Sequence, residues 1–190
     1  MNKKSLIAQI GEPILRKKTK DVDPCDIKTH KIKRIIKQLI KIMRLCNGAG
    51  LAANQIYYNY RMCVLEIENN KRYKHLPKLP LKILINPRIK IIDKKNTFDS
   101  YEGCLSVPNL RGKVKRNCKI KVDYFDENAK FKSEVIEGYL AVVFQHEIDH
   151  LDGVIFTDKV IDNKSLVTYE NYKKFYEKKY LLELKNRFNR

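Results

Sequence analysis

Between residues 28 and 46, Ile32, Ile35, Ile36, Leu39, Ile40, Met43 and Leu45 return at three- and four-residue spacing among lysines. That period predicts an amphipathic helix, ending near Asn47-Gly48. The stretches MCVLEI (62–67), LKILINP (81–87) and IKII (89–92) then read as strands. KVKRNCKIKVDYF (113–125) and KFKSEVIEG (130–138) alternate with the period of two expected of half-buried strands. Helical spacing resumes from Tyr139 to Leu151 and is closed by Asp152-Gly153. A last helix is predicted over Leu166–Phe188, with an apolar stripe of Tyr169, Tyr172, Phe175, Tyr176 and Leu182 and a lysine-rich outer face. Helices at both ends and in the middle, with short strands between, predict an α+β fold. Short, mainly antiparallel sheets would pack around a central helix, with an N-terminal helix before them and a C-terminal helix after. No repeat, low-complexity tract or Gly/Ser linker divides the chain, and Pro77 and Pro80 suggest one longer surface loop, so residues 1–190 read as a single domain.

Composition narrows the function. With 43% hydrophobic and 33% charged residues the chain is globular, and no apolar run approaches the roughly 18 residues of a membrane span. The basic start MNKKSLIAQI lacks the apolar core of a secretion signal. Five cysteines, odd in number, scattered and without a CxxC pair, point to a reduced, cytoplasmic protein. The net charge of +18 predicts attraction to a polyanion, with the bias of a Lys/Asn/Ile-rich proteome as the alternative. The charge is uneven: residues 1–50 carry +9 and 51–100 carry +6, whereas 101–150 are neutral. Chemistry in that neutral block does not belong to a nucleic-acid reader.

The neutral block contains His146-Glu147-Ile148-Asp149-His150 inside a helical apolar run. Two histidines four apart lie on one helix face, where they can share a metal ion. Glu147 can lean toward a remaining coordination position and take a proton from water. The other histidines, His30 and His75, stand in basic contexts and read as solvent-facing. A third ligand is needed, and no further His follows. Glu170 and Glu177 lie in a surface-like helix; Cys104 is the better candidate, beside Gly103, which permits close backbone approach. Two His and one Cys leave an open position, the mark of a catalytic site. Gly48-Ala49-Gly50-Leu51-Ala52-Ala53-Asn54-Gln55 can bring backbone close to a ligand and offers the Gln55 amide to an oxyanion. It lacks the Lys-Ser/Thr ending of a phosphate-binding loop. Asp149 is expected to pair with a basic residue such as Arg116.

Taken together, Gly48–Gln55, Glu102–Ser106 and Gln145–His150 resemble the three motifs of peptide deformylases, GxGLAAxQ, EGCLS and QHExDH. The connecting text matches over about residues 6–160. The resemblance implies metal ligands at Cys104, His146 and His150, a general acid/base at Glu147, and oxyanion donors at the Gln55 side chain and the Leu105 backbone N–H. It implies peptide-backbone contacts at Ala49, Gly50 and Gly103, with Arg111 at the outer end, and a methionine pocket lined by Tyr139, Val142 and Val143. Asn54 stands where Pro is common, Tyr57 where Gly is frequent, and Tyr139 where Leu is frequent, which alters the pocket's width. The implied reaction is hydrolysis of the N-formyl group of a formyl-methionyl nascent peptide, with Fe²⁺ as the ion and Ni²⁺, Co²⁺ or Zn²⁺ as substitutes. It further implies a basic surface, chiefly the C-terminal helix, that docks on the ribosome near the exit tunnel, with no membrane and no sequence-specific nucleic acid as partner. Two other readings use the same residues. A zinc endopeptidase would need a longer cleft and usually a third His or Glu ligand, and a basic RNA-binding module would hold a structural metal without turnover.

Overall fold

The computed structural model describes residues 6–68 and 77–188. Its elements are α1 (His30–Leu45), β1 (Gly50–Ala52), β2 (Met62–Leu65), β3 (Lys82–Ile91), β4 (Thr97–Cys104), β5 (Val107–Asn117), β6 (Lys119–Phe125) and β7 (Phe131–Glu137). They are followed by α2 (Tyr139–Leu151), β8 (Val167–Thr168), α3 (Tyr169–Asn171) and α4 (Glu177–Phe188). All strand pairs within the sheets are antiparallel. One sheet has the order β1-β2-β3-β6-β7 and the other β4-β5-β8. This is the expected α+β arrangement.

α1 starts where Thr29 accepts a hydrogen bond from the Ile32 N–H and stops before Asn47, which takes a left-handed φ of 53°. Its buried side chains Ile32, Ile35, Ile36, Leu39 and Met43 pack on Leu51, Met62 and Val64. Each large side chain so buried contributes roughly 1.5–3 kcal/mol. Leu45, expected on that stripe, is exposed. α2 touches β1, β2, β3, β5 and β7, so its apolar residues bury on nearly every side. That enclosure is what places a His-Glu-His helix in the middle of the molecule.

Three sequence expectations change. LKILINP and IKII form one strand, β3, bulged between Ile85 and Arg88, where Asn86 takes φ 53° and its side chain bonds both backbone groups of Val22. The alternating run 113–125 is two strands in different sheets, parted at Cys118. Every even residue from Gly112 to Tyr124 is buried, so the corner keeps the period in phase and neither Gly nor Pro marks it. The C-terminal helix begins at Tyr169 rather than Leu166, and its buried residues are Tyr172, Tyr180 and Leu184, with Phe175 and Leu182 exposed. A π-helical stretch at Tyr172–Tyr176 explains the shift: one extra residue in a turn advances the buried stripe by one position.

Candidate active site

Two segments converge on α2. β4 delivers Glu102, Gly103 and Cys104, and a register shift between Glu102 and Cys104 marks a bulge that re-aims its side chains. β1 and the turn Ala53–Ile56 deliver Ala49-Gly50 and Gln55 from the other side. Ligand atoms of Cys104, His146 and His150 all lie within 4.8 Å of one another. Glu170 and Glu177, left open by sequence, stand on the C-terminal helical segment and do not join this cluster.

His146 and His150 stand one turn apart, with ring centroids separated by 5.0 Å. His150 Nε2 is 3.2 Å from Cys104 Sγ. Burial disfavours a charge on Cys104, but His150 and His146 outweigh it and hold the thiol well below its usual range. His146 Nδ1 is 2.7 Å from Glu102 Oε2, the carboxylate partner that fixes a ligating imidazole's orientation. Glu102 is itself clamped by Arg116, Nε to Oε1 at 2.7 Å and Nη2 to Oε2 at 2.9 Å. Burial alone would raise Glu102; Arg116 and His146 bring it down to about 2. Arg116 also donates from Nη1 to Asp149 Oδ2 at 2.5 Å, as expected for Asp149. A thiolate and two imidazoles, that of His146 oriented by Glu102, fit a divalent transition ion.

Glu147 is buried, and its Oε2 has no hydrogen-bond partner among the described residues. Burial pushes its carboxyl up to about 7, against the pull of His146 and His150. Gly50 makes room for it: a Cβ there would lie 2.5 Å from Glu147 Cδ. The Gln55 amide is oriented at both ends, its Oε1 accepting from the Ala52 N–H at 2.8 Å and its Nε2 donating to Ser106 Oγ at 3.0 Å. Nε2 also lies 3.4 Å from Cys104 Sγ. The neighbouring Asn54 is fully buried, and its Nδ2 donates to the His150 carbonyl at 2.5 Å, tying the Gln55 turn to α2.

Cys104, His146, Glu147, Gln55 and Glu102 open on a cavity of about 890 Å³. Its wall includes the expected Ala49, Gly50, Gln55, Gly103, Cys104, Leu105, Arg111, Tyr139, Val142, Val143, His146 and Glu147. His150 is not in the wall; it is buried behind it. The Arg111 guanidinium fills the space beside Gly103, where a Cβ would come within 1.6 Å of Nη1. Sequence reasoning missed Tyr101, Asn109 and Tyr169 in the wall, and the clamp on Glu102. A signal for Glu102 existed, since a carboxylate two residues from a ligand is a natural support for a ligating His. His30 is exposed as expected, and His75 lies outside the described residues.

Comparisons with known proteins point to one family. A family model described as Polypeptide deformylase matches residues 4–165. A peptide deformylase of Leptospira biflexa is 41% identical over 160 residues, 83% of this chain and 88% of the relative. Among solved structures, the Met-Ala-Ser-bound class I type b peptide deformylase from Acinetobacter baumannii has a TM-score of 0.76 at 30% identity, covering 81% of this chain and 96% of that one. A peptide deformylase from Synechococcus elongatus in complex with actinonin has a TM-score of 0.74 at 33% identity, covering 88% and 84%.

Proposed function

The chain belongs to the polypeptide deformylase family, hydrolases acting on formyl-methionyl peptides, and from that premise we propose a metal-assisted mechanism carried by its own residues. The observation that carries it is the convergence of Cys104, His146 and His150 beside the buried carboxylate of Glu147, in the wall of a peptide-sized cavity. Those three residues hold a divalent ion, Fe²⁺ in our reading with Ni²⁺, Co²⁺ or Zn²⁺ able to substitute. When bound, such an ion supplies Lewis acidity that makes water nucleophilic near neutral pH.

Glu147 accepts the proton of the attacking water at its free oxygen and passes it to the leaving amine, so that formate and a free N-terminal methionine result. Gln55 Nε2 and the Leu105 N–H donate to the oxyanion that develops on the formyl oxygen. Because the Ala52 N–H holds Gln55 Oε1, the donor end of the amide is already turned toward the thiolate side of the pocket. Ala49, Gly50 and Gly103 bind the peptide backbone, Tyr139, Val142 and Val143 receive the methionine side chain, and Arg111 stands at the outer end.

We take residues 1–190 as one domain and the protein as cytoplasmic, a reading supported by five free cysteines. Among the described residues no helix is long and apolar enough to cross a membrane. The ribosome near the exit tunnel is the proposed docking partner, reached through the exposed lysines of the C-terminal helix, without sequence-specific contact to nucleic acid. The reaction is tested by anaerobic purification, metal analysis and a formate assay on formyl-Met-Ala-Ser and its unformylated counterpart. Formate from the first alone is expected; internal cleavage of either peptide would support the endopeptidase instead.

A further inference from the structure

The family match ends at residue 165, but the wall of the cavity continues beyond it. β8 pairs antiparallel with β5 at Arg111↔Val167 and Leu110↔Thr168, which sets the next residue, Tyr169, in the wall. Its ring is held from several sides. The Arg111 guanidinium sits 4.7 Å from the ring centroid and Lys173 Nζ 5.6 Å from it, and the Tyr172 ring stacks at 6.5 Å with 15° between planes. Tyr172 is in turn buried against Tyr101, centroids 5.2 Å apart. An aromatic side chain has few torsions to lose, and this one is braced by strand pairing below and stacked groups around it. It is therefore a rigid, preset surface.

We propose that Tyr169 is a specificity-determining residue: its ring is an aromatic shelf for the side chain of the residue that follows formyl-methionine. The inference rests on the deformylase reading, in which Arg111 marks the outer end of the peptide site and the methionine pocket is lined by Tyr139, Val142 and Val143. A group stacked on Arg111 meets the peptide beyond the methionine. Flat or long apolar side chains gain most from such a surface, whereas glycine gains nothing. The C-terminal segment is thus a part of the substrate site.

The test compares formyl-Met-Phe-Ser with formyl-Met-Gly-Ser as substrates of the metal-loaded enzyme. Wild type is expected to show the lower KM for the Phe peptide. Tyr169→Ala should raise that KM roughly fivefold, leave the Gly peptide within about twofold, and leave kcat and metal content unchanged. Tyr169→Phe should behave as wild type, and Tyr169→Leu, which keeps apolar volume, serves if the alanine variant does not fold. Equal KM changes for both peptides, or none, in an active enzyme would overturn the shelf while leaving the deformylase reading intact. Absence of formate release by wild type from both peptides would overturn both.

Discussion

Arg116 grips Glu102 through two parallel hydrogen bonds of 2.7 and 2.9 Å between side chains that are 2% and 5% exposed. The same guanidinium reaches Asp149, and the same carboxylate reaches His146 Nδ1. Removing the arginine leaves a buried carboxylate uncompensated, which costs about 3–5 kcal/mol. Arg116→Met is therefore expected to lower stability by that order in chemical denaturation, and to weaken metal retention about 10- to 100-fold through the released His146. Unchanged stability and metal content would mean that the clamp is dispensable.

The close approach of Gly50 to Glu147 makes a second prediction. Glu147→Ala should keep its metal and lose about 10²–10⁴ in formate release, the range of a general acid/base. Gly50→Ala should reach a comparable loss by displacing the same carboxylate, since its Cβ would stand 2.5 Å from Cδ. A fully active Gly50→Ala would show that Glu147 has room to move aside.

Among the five free cysteines, Cys104 alone sits with two histidines, while Cys25 is exposed. Cys104→Ser is expected to lower metal content and turnover together, and Cys25→Ser to change neither. Full metal occupancy in the Cys104 variant, measured on the purified protein, would revise the ligand set.

Glu134 provides a pH signature far from the centre. Partial burial works against its charge, but hydrogen bonds from Lys82 and Tyr124 prevail and lower it from the ordinary value of 4.5. A carboxyl lowered on folding stabilises the protein above its unfolded pKa, and that contribution is lost as pH falls through the folded value. Wild type should therefore lose more stability than Glu134→Gln on acidification below about pH 4.5, read by thermal melts across the series. Identical slopes would show that the Lys82 pair adds nothing.

The C-terminal helix calls for charge reversal rather than deletion. Tyr172, Tyr180 and Leu184 belong to the core, so removing residues 166–188 exposes it, at roughly 1.5–3 kcal/mol for each large side chain. Reversing the exposed Lys173, Lys174, Lys178 and Lys179 to Glu should leave the melting temperature nearly unchanged and abolish low-salt co-sedimentation with ribosomes. Undiminished co-sedimentation would return the positive charge to background composition.

The sequence by itself determined the features that depend on local period and side-chain chemistry. The apolar stripe of α1, the period-two strands and the His146/His150 spacing all follow from geometry within one element, and the three motifs name their family without coordinates. Apart from the Asp149–Arg116 pair, which charge alone suggested, tertiary structure decided most of what depends on partners distant in the chain. The corner at Cys118 is invisible because it preserves the alternation, and the π-turn at Tyr172–Tyr176 rotates the stripe without any breaker residue. Glu102 acquires its clamp from Arg116, 14 residues on, and its imidazole from His146, 44 residues on. Tyr169 becomes a pocket wall through the pairing of β8 with β5. Such contacts are fixed by which surfaces meet when the two sheets close around α2, and no window of sequence carries that information.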